Sequence, residues 1–328
     1  MDMHERVVLG LDIGSVSIAA VTVGYDGVVR ERLYGAHGGN LAAALDRIDA
    51  EMDLGAVTGV AMTGRPLPDI RCDVRYEEQV ATLESVRSRY PGAGAVLVVG
   101  GEKYALARFG TAGEYEGTKV NSGCAAGTGS FLDQQAGRLG LAGTPELASL
   151  ALANTAEPPR VATRCAVFAK TALIHAQQEG YSLAAISDGL CRGLARNLAD
   201  SLFGSVSIDG PVVFTGGVAL NDAVFSQLAT LTGHSFIRDS EAPWHGAIGA
   251  ALLFIREGRA GAPFGGAAAL RQVIPLDRAT FFPPLELNLS QYPDFSADGH
   301  YKVTVSGHGG RPGQVVEVDV YGELPSPC

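Results

Sequence analysis

The chain states one pattern twice. Residues 7–23 read VVLGLDIGSVSIAAVTV, an apolar β-branched run, a tight Gly/Ser turn and a second uncharged run. Residues 95–109, AVLVVGGEKYALARF, repeat it with Gly100–Gly101 at the turn. Runs this apolar suit strands covered on both faces, which points to an α/β architecture. Two such hairpins read as an internal duplication of one lobe. Around the first hairpin, Gly27–Tyr34 reads as a third strand, Leu41–Met52 as an amphipathic helix and Gly59–Thr63 as a short buried strand. A further helix runs over Glu77–Tyr90 and ends at Pro91. Helices follow at Thr128–Leu139, Pro145–Ala153, Cys165–Glu179, Leu183–Phe203 and Ala223–Leu231. The last, His245–Arg256, crosses back to the first lobe. The expected division is 1–92 plus 245–256 for lobe I and 93–244 for lobe II. Residues 259–328 form a Gly/Ala-rich linker and a β-rich extension, in which YKVTVS and VVEVDVYG pair as a hairpin.

The turns carry chemistry. Asp12 closes the first strand and Gly14, Ser15 and Ser17 form the turn. Gly14 lets backbone approach phosphate, the serines offer hydroxyls and N–H groups, and Asp12 can hold Mg²⁺ through water. An ordinary polar hairpin turn is the other reading. In PVVFTGGVALND a buried strand precedes Gly216–Gly217 and a helix beginning near Asn221. Such a turn presses a nucleoside against backbone without side chains, although strand–Gly–Gly–helix turns are common. Cys124 in VNSGCAAGTGSFL and Cys165 in TRCAVFAKT each precede an apolar helical face. A helix N-terminus favours a thiolate. Two thiolates are too few for a tetrahedral metal site, but two chains could supply four. Both are equally readable as small buried hydrophobes.

Composition excludes several classes. The formal charge is −10, with 25 basic against 35 acidic side chains, and no basic face forms, so nucleic acid is not expected. No apolar stretch is long enough to span a bilayer, and HER near the start leaves no room for a signal peptide. Five cysteines without disulfide spacing fit a reducing cytoplasm. Cys72 and Cys191 read as core, and Cys328 as a loose thiol.

Taken in order, LDIGS, NSGCAAGTGSFLDQQAGRLG, RCAVFA and FTGGVALN resemble the ATP-dependent activators of 2-hydroxyacyl-CoA dehydratases and the related benzoyl-CoA reductase ATPase subunits. The resemblance covers roughly Val7 to Phe254. It implies two RNase H-like lobes of the acetate kinase, sugar kinase, Hsp70 and actin group. It also implies a homodimer in which Cys124 and Cys165 of both chains hold one [4Fe–4S] cluster. ATP or ADP with Mg²⁺ would sit between the lobes, on Gly14, Ser15, Ser17, Gly100, Gly101, Gly127, Thr128, Gly216, Gly217 and Asn221. A ferredoxin or flavodoxin would supply the electron, and a CoA-ester dehydratase or reductase would receive it. The tail resembles the stretch that leads into a second copy in long members, so the chain is expected to be the front of a larger polypeptide.

Departures from that family's pattern touch hydrolysis. Where the activators place an aspartate before the second Gly–Gly turn, this chain has Val98, leaving Glu102 beside Asp12 as the acidic candidates. Ala169–Lys170–Thr171 stand where an acidic residue usually follows the second cysteine. A non-hydrolysing regulatory domain of a larger reductase, or a small-molecule kinase, are the alternatives. Glu77–Glu78 and Asp69–Asp73 read as solvated or capping carboxylates. Arg65 reads as a surface arginine or a phosphate contact. The PWHGAIGA stretch resembles the family's final helix, whose start lies near the nucleotide base.

Overall fold

The computed structural model describes residues 6–65, 70–121, 128–161, 166–204, 206–262 and 264–271. The expected hairpin of the extension lies outside them.

Strand β1 (Val7–Ile13) is buried almost throughout, as its sequence requires. It pairs antiparallel with β2 (Ser17–Gly24) and parallel with β4 (Val57–Gly64). With β3 (Val29–Ala36) and β5 (Val74–Arg75) the first sheet is ordered β3-β2-β1-β4-β5. The second sheet repeats this plan. β6 (Ala95–Val99) pairs antiparallel with β7 (Tyr104–Phe109) and parallel with β9 (Val212–Thr215), while β8 (Tyr115–Val120) and β10 (Phe236–Arg238) form the edges. Each lobe is thus an antiparallel three-strand meander with two parallel strands added on the far side of its first strand.

Helix α1 (Leu41–Glu51) starts at Asn40, whose side chain accepts from Ala43 N–H at 3.0 Å, and buries Leu45 and Ile48 on one face of the first sheet. The other face carries α8 (His245–Arg256), with Ala247, Ala250, Ala251 and Phe254 in a core shared with Val8, Val21 and Ala61. Helix α2 (Glu78–Arg89) lies between the sheets. Its Ala81 joins the first lobe's core, and its Val86 packs with Val96, Phe109 and Val213 of the second sheet. The second sheet's remaining face is covered by α3 (Gly129–Arg138), α4 (Thr144–Leu152), α6 (Leu183–Leu198) and α7 (Asp222–Thr232). Helix α5 (Ala166–Gln178) precedes α6, which ends in a π-helical turn over Ala199–Phe203. Among the described residues no helix is long and apolar enough to cross a membrane.

Candidate functional site: an interlobe cleft

The two hairpin turns close in the same way. Gly14 N–H donates to Ser17 O at 2.9 Å and Gly100 N–H to Lys103 O at 2.8 Å. Their tips meet, since a methyl on Gly101 would lie 2.7 Å from Val16 Cγ2 and 3.4 Å from Ser15 Oγ. The second tip also starts α3, because Gly100 O and Gly101 O accept from the N–H groups of Gly129 and Ser130 at 2.9 Å. Between the lobes the tips leave a cleft with two chambers.

The first chamber is polar. Asp12, Gly14, Ser15, Ser17, Gly100, Gly101 and Glu102 line it together with Gly216 and Gly217, so most residues singled out in the sequence converge here. Asp12 stands at the end of β1, half-buried, against the start of α8. A methyl on Gly246 would run into its carboxylate. Burial first, and the Glu78 carboxylate second, push its pKa up to about 7. Glu78 is a residue whose reading the structure changes. Glu77 is the cap, accepting from Val80 N–H at 2.9 Å. Glu78 lines the chamber and faces Lys103 Nζ across the lobes at 3.9 Å. Glu77 and Glu78 are adjacent, and only the helix register separates their roles.

Val98 lines the same wall, so no carboxylate enters from that position. Its partner in the β6–β9 pairing is Thr215, buried at 1 % exposure with its hydroxyl unpartnered, and also on the wall. Gly216 follows with φ 87°, a conformation that side chains with a Cβ rarely take, and its N–H donates to Ala242 O at 2.9 Å. His245 is buried at the start of α8, 2.8 Å from both Ser85 Oγ and Asp239 Oδ2. Burial opposes the ionised form of Asp239. The hydrogen bonds from His245 and the Glu241 backbone outweigh it and hold the pKa near 2. His245 and Gly246 share the Asp12 chamber.

The second chamber is more apolar, with Leu132, Pro145, Val218 and Leu220 around Asp133, Thr144 and Asn221. Asn221 uses its side chain locally: Oδ1 accepts from Val224 N–H at 3.0 Å to cap α7, and the amide faces Cys191 Sγ at 3.9 Å. Thr128 is buried at the N-cap of α3. Arg65 lies on the first chamber's wall. Asp73 accepts from Val60 and Ala262 N–H groups, at 2.7 and 2.8 Å. Gly127, Cys124, Cys165 and Asp69 lie outside the described residues. Among the described residues, no three His, Cys, Asp or Glu side chains gather as a metal site.

Paired meander lobes with facing turns and a cleft between them define an ATPase-fold protein of the acetate kinase, sugar kinase and actin group. Within that group the family is specific. A profile of the BadF/BadG/BcrA/BcrD ATPase family matches residues 9–253, and the chain belongs to this family. One of the benzoyl-CoA reductase polypeptides of Thauera aromatica is 34% identical over 170 residues, 49% of this chain and 58% of that protein, so the match spans little more than half of that relative. The 2-hydroxyisocaproyl-CoA dehydratase activator of Clostridioides difficile is 26% identical over 76% of this chain and 96% of its own length. The crystal structure of Acidaminococcus fermentans (R)-2-hydroxyglutaryl-CoA dehydratase component A superposes with a TM-score of 0.68 at 26% identity, covering 77% of this chain and 98% of that one.

Proposed function

We propose that the chain is an ATP-dependent activator that passes a low-potential electron to a CoA-ester dehydratase or reductase. The observation that carries the reading is the meeting of the two hairpin tips on a chamber that Asp12 also lines, in a family whose relatives are named as dehydratase activators. The residues suit a nucleotide with Mg²⁺. Backbone N–H groups and small residues fit phosphate, Lys103 and Arg65 offer positive charge, and the orphaned Thr215 hydroxyl offers a hydrogen bond. Asp12 would hold the ion's water shell, and the ion would neutralise charge on the phosphates. The apolar chamber would take the nucleoside. Cys124 and Cys165 of two chains would hold one [4Fe–4S] cluster, which would take one electron from a ferredoxin or flavodoxin. Nucleotide that prefers one lobe arrangement shifts the population towards it, which is how the cleft would act on the cluster.

Val98 favours slow turnover, the trait of the non-hydrolysing alternative. Strictly anaerobic purification with iron and sulfide analysis tests the cluster. About one [4Fe–4S] per two chains is expected, lost in Cys124→Ser and Cys165→Ser but retained in Cys72→Ser and Cys191→Ser. Colourless, iron-free protein from such a preparation would refute it.

A further inference from the structure

The two chambers share one constriction. Val16, Ser17, Tyr34, Gly100, Gly101 and Gly217 belong to both walls. Tyr34 reaches this point from β3 of the first sheet, and Gly217 follows β9 of the second. A methyl on Gly217 would run into the Tyr34 hydroxyl, so the phenol stands directly over the opposite lobe's backbone. Burial raises the Tyr34 pKa, which keeps the hydroxyl neutral and able to donate. Behind the ring is Trp244, edge-on with centroids 5.9 Å apart. Its indole N–H donates to Leu33 O at 2.9 Å, and the Arg32 guanidinium lies 5.5 Å from its centroid. Trp244 is the one tryptophan of the chain.

We infer that Tyr34 is a gate between the chambers, closed where its hydroxyl lies on Gly217 and displaced when a nucleotide is bound. The inference rests on the nucleotide reading. A nucleoside diphosphate or triphosphate with its phosphates beside Asp12 and its nucleoside beside Leu132 must cross the constriction where the phenol stands. A closed gate competes with ligand, because only the open fraction of the protein accepts it and apparent affinity falls by that fraction. Removing the hydroxyl weakens closure while leaving the ring packed on Trp244. Displacing the ring changes the edge-on contact, so the single indole reports the movement.

The test mixes Mg²⁺-ADP rapidly with the whole chain and follows tryptophan emission, with protection against heat as an independent measure of binding. Emission is expected to change on binding in the unmodified protein. Tyr34→Phe and Tyr34→Ala are expected to associate about threefold faster or more, with the emission change retained in Tyr34→Phe. Association rates that stay the same or fall in both variants would overturn the gate. Heat protection without any emission change in the unmodified protein would also overturn it. If Mg²⁺-ADP gives neither signal, the nucleotide reading fails and the gate with it.

Discussion

Asp12 shows how a single carboxylate can work against the fold that carries it. Its pKa in the folded chain is about 7, raised from an ordinary 3.8. Well below pH 3.8 the group is protonated whether folded or not, and it has no effect on stability. As pH rises from about 4 to 7 the unfolded chain ionises first, so stability falls, and above 7 the full penalty applies, at most about 4 kcal/mol. Asp12→Asn carries no such penalty. In urea denaturation without divalent metal, the variant is expected to be more stable than the parent at pH 8, with the gap closing towards pH 4. A variant less stable at pH 8 would contradict the sign. The neighbouring wall makes a second prediction. Phosphoryl transfer relies on placed charge and water, so on the proposed reading the missing acid at Val98 would slow it. Val98→Asp is expected to raise Mg²⁺-dependent ATP hydrolysis at least tenfold with little change in ADP affinity, read by phosphate release and by calorimetry. Brisk turnover in the unmodified chain would show that Glu78, Glu102 or the Thr215 hydroxyl already fills the gap. Asp12 was legible because it sits at a strand end before a glycine turn, and Val98 because the resembled family places an aspartate at that position. Glu78 was not, since its role depends on which side of α2 faces the cleft, and Tyr34 looked like any strand aromatic.

The elements most visible in the sequence were those whose burial is one-sided or complete. β1, β2 and β6 announce themselves as apolar runs, α1 by its amphipathic rhythm, α2 by the proline that ends it and α8 by its small residues. β8 was missed because YEGTKV is an edge strand with exposed, mostly polar residues, and β10 because it has three residues. Both lie at rims where pairing needs a neighbour more than an apolar face. What the pattern could not give was how closely α2 and α8 approach. A methyl on Gly249 of α8 would overlap the Ala81 carbonyl of α2. Backbone cannot yield there as a flexible side chain would. Gly249→Ala is expected to cost about 3 kcal/mol, read as a drop in the urea midpoint, whereas Gly137→Ala on exposed α3 surface, with open space around it, should not. Equal midpoints for the two variants would mean the helix pair is looser than its geometry.

At the scale of the molecule, the duplicated sheet order was foreshadowed by the repeated hairpin, while the meeting of the two tips depends on tertiary contacts that no local pattern encodes. The segment between β10 and α8 ties the lobes: Glu241 pairs with Arg32 at 2.6 Å and with Arg89, and Arg89 Nε approaches Asp239 at 3.7 Å. Since both arginines are about half exposed, salt screens these pairs, and the packing of α2 between the sheets is the sturdier tie. The path of the chain has its own consequence. It leaves the first sheet through α2, completes the whole second sheet, and returns through α8 to the face it left. In genetic terms the second lobe is a guest sequence spliced into its host, with both ends of the splice side by side. A fragment spanning 78–244 is therefore expected to express and melt cooperatively by circular dichroism, because its core, α2 included, is contiguous in sequence. Residues 6–92 alone should aggregate, lacking the returning helix that covers their sheet. If only the first piece proved stable, host and guest would have to be exchanged.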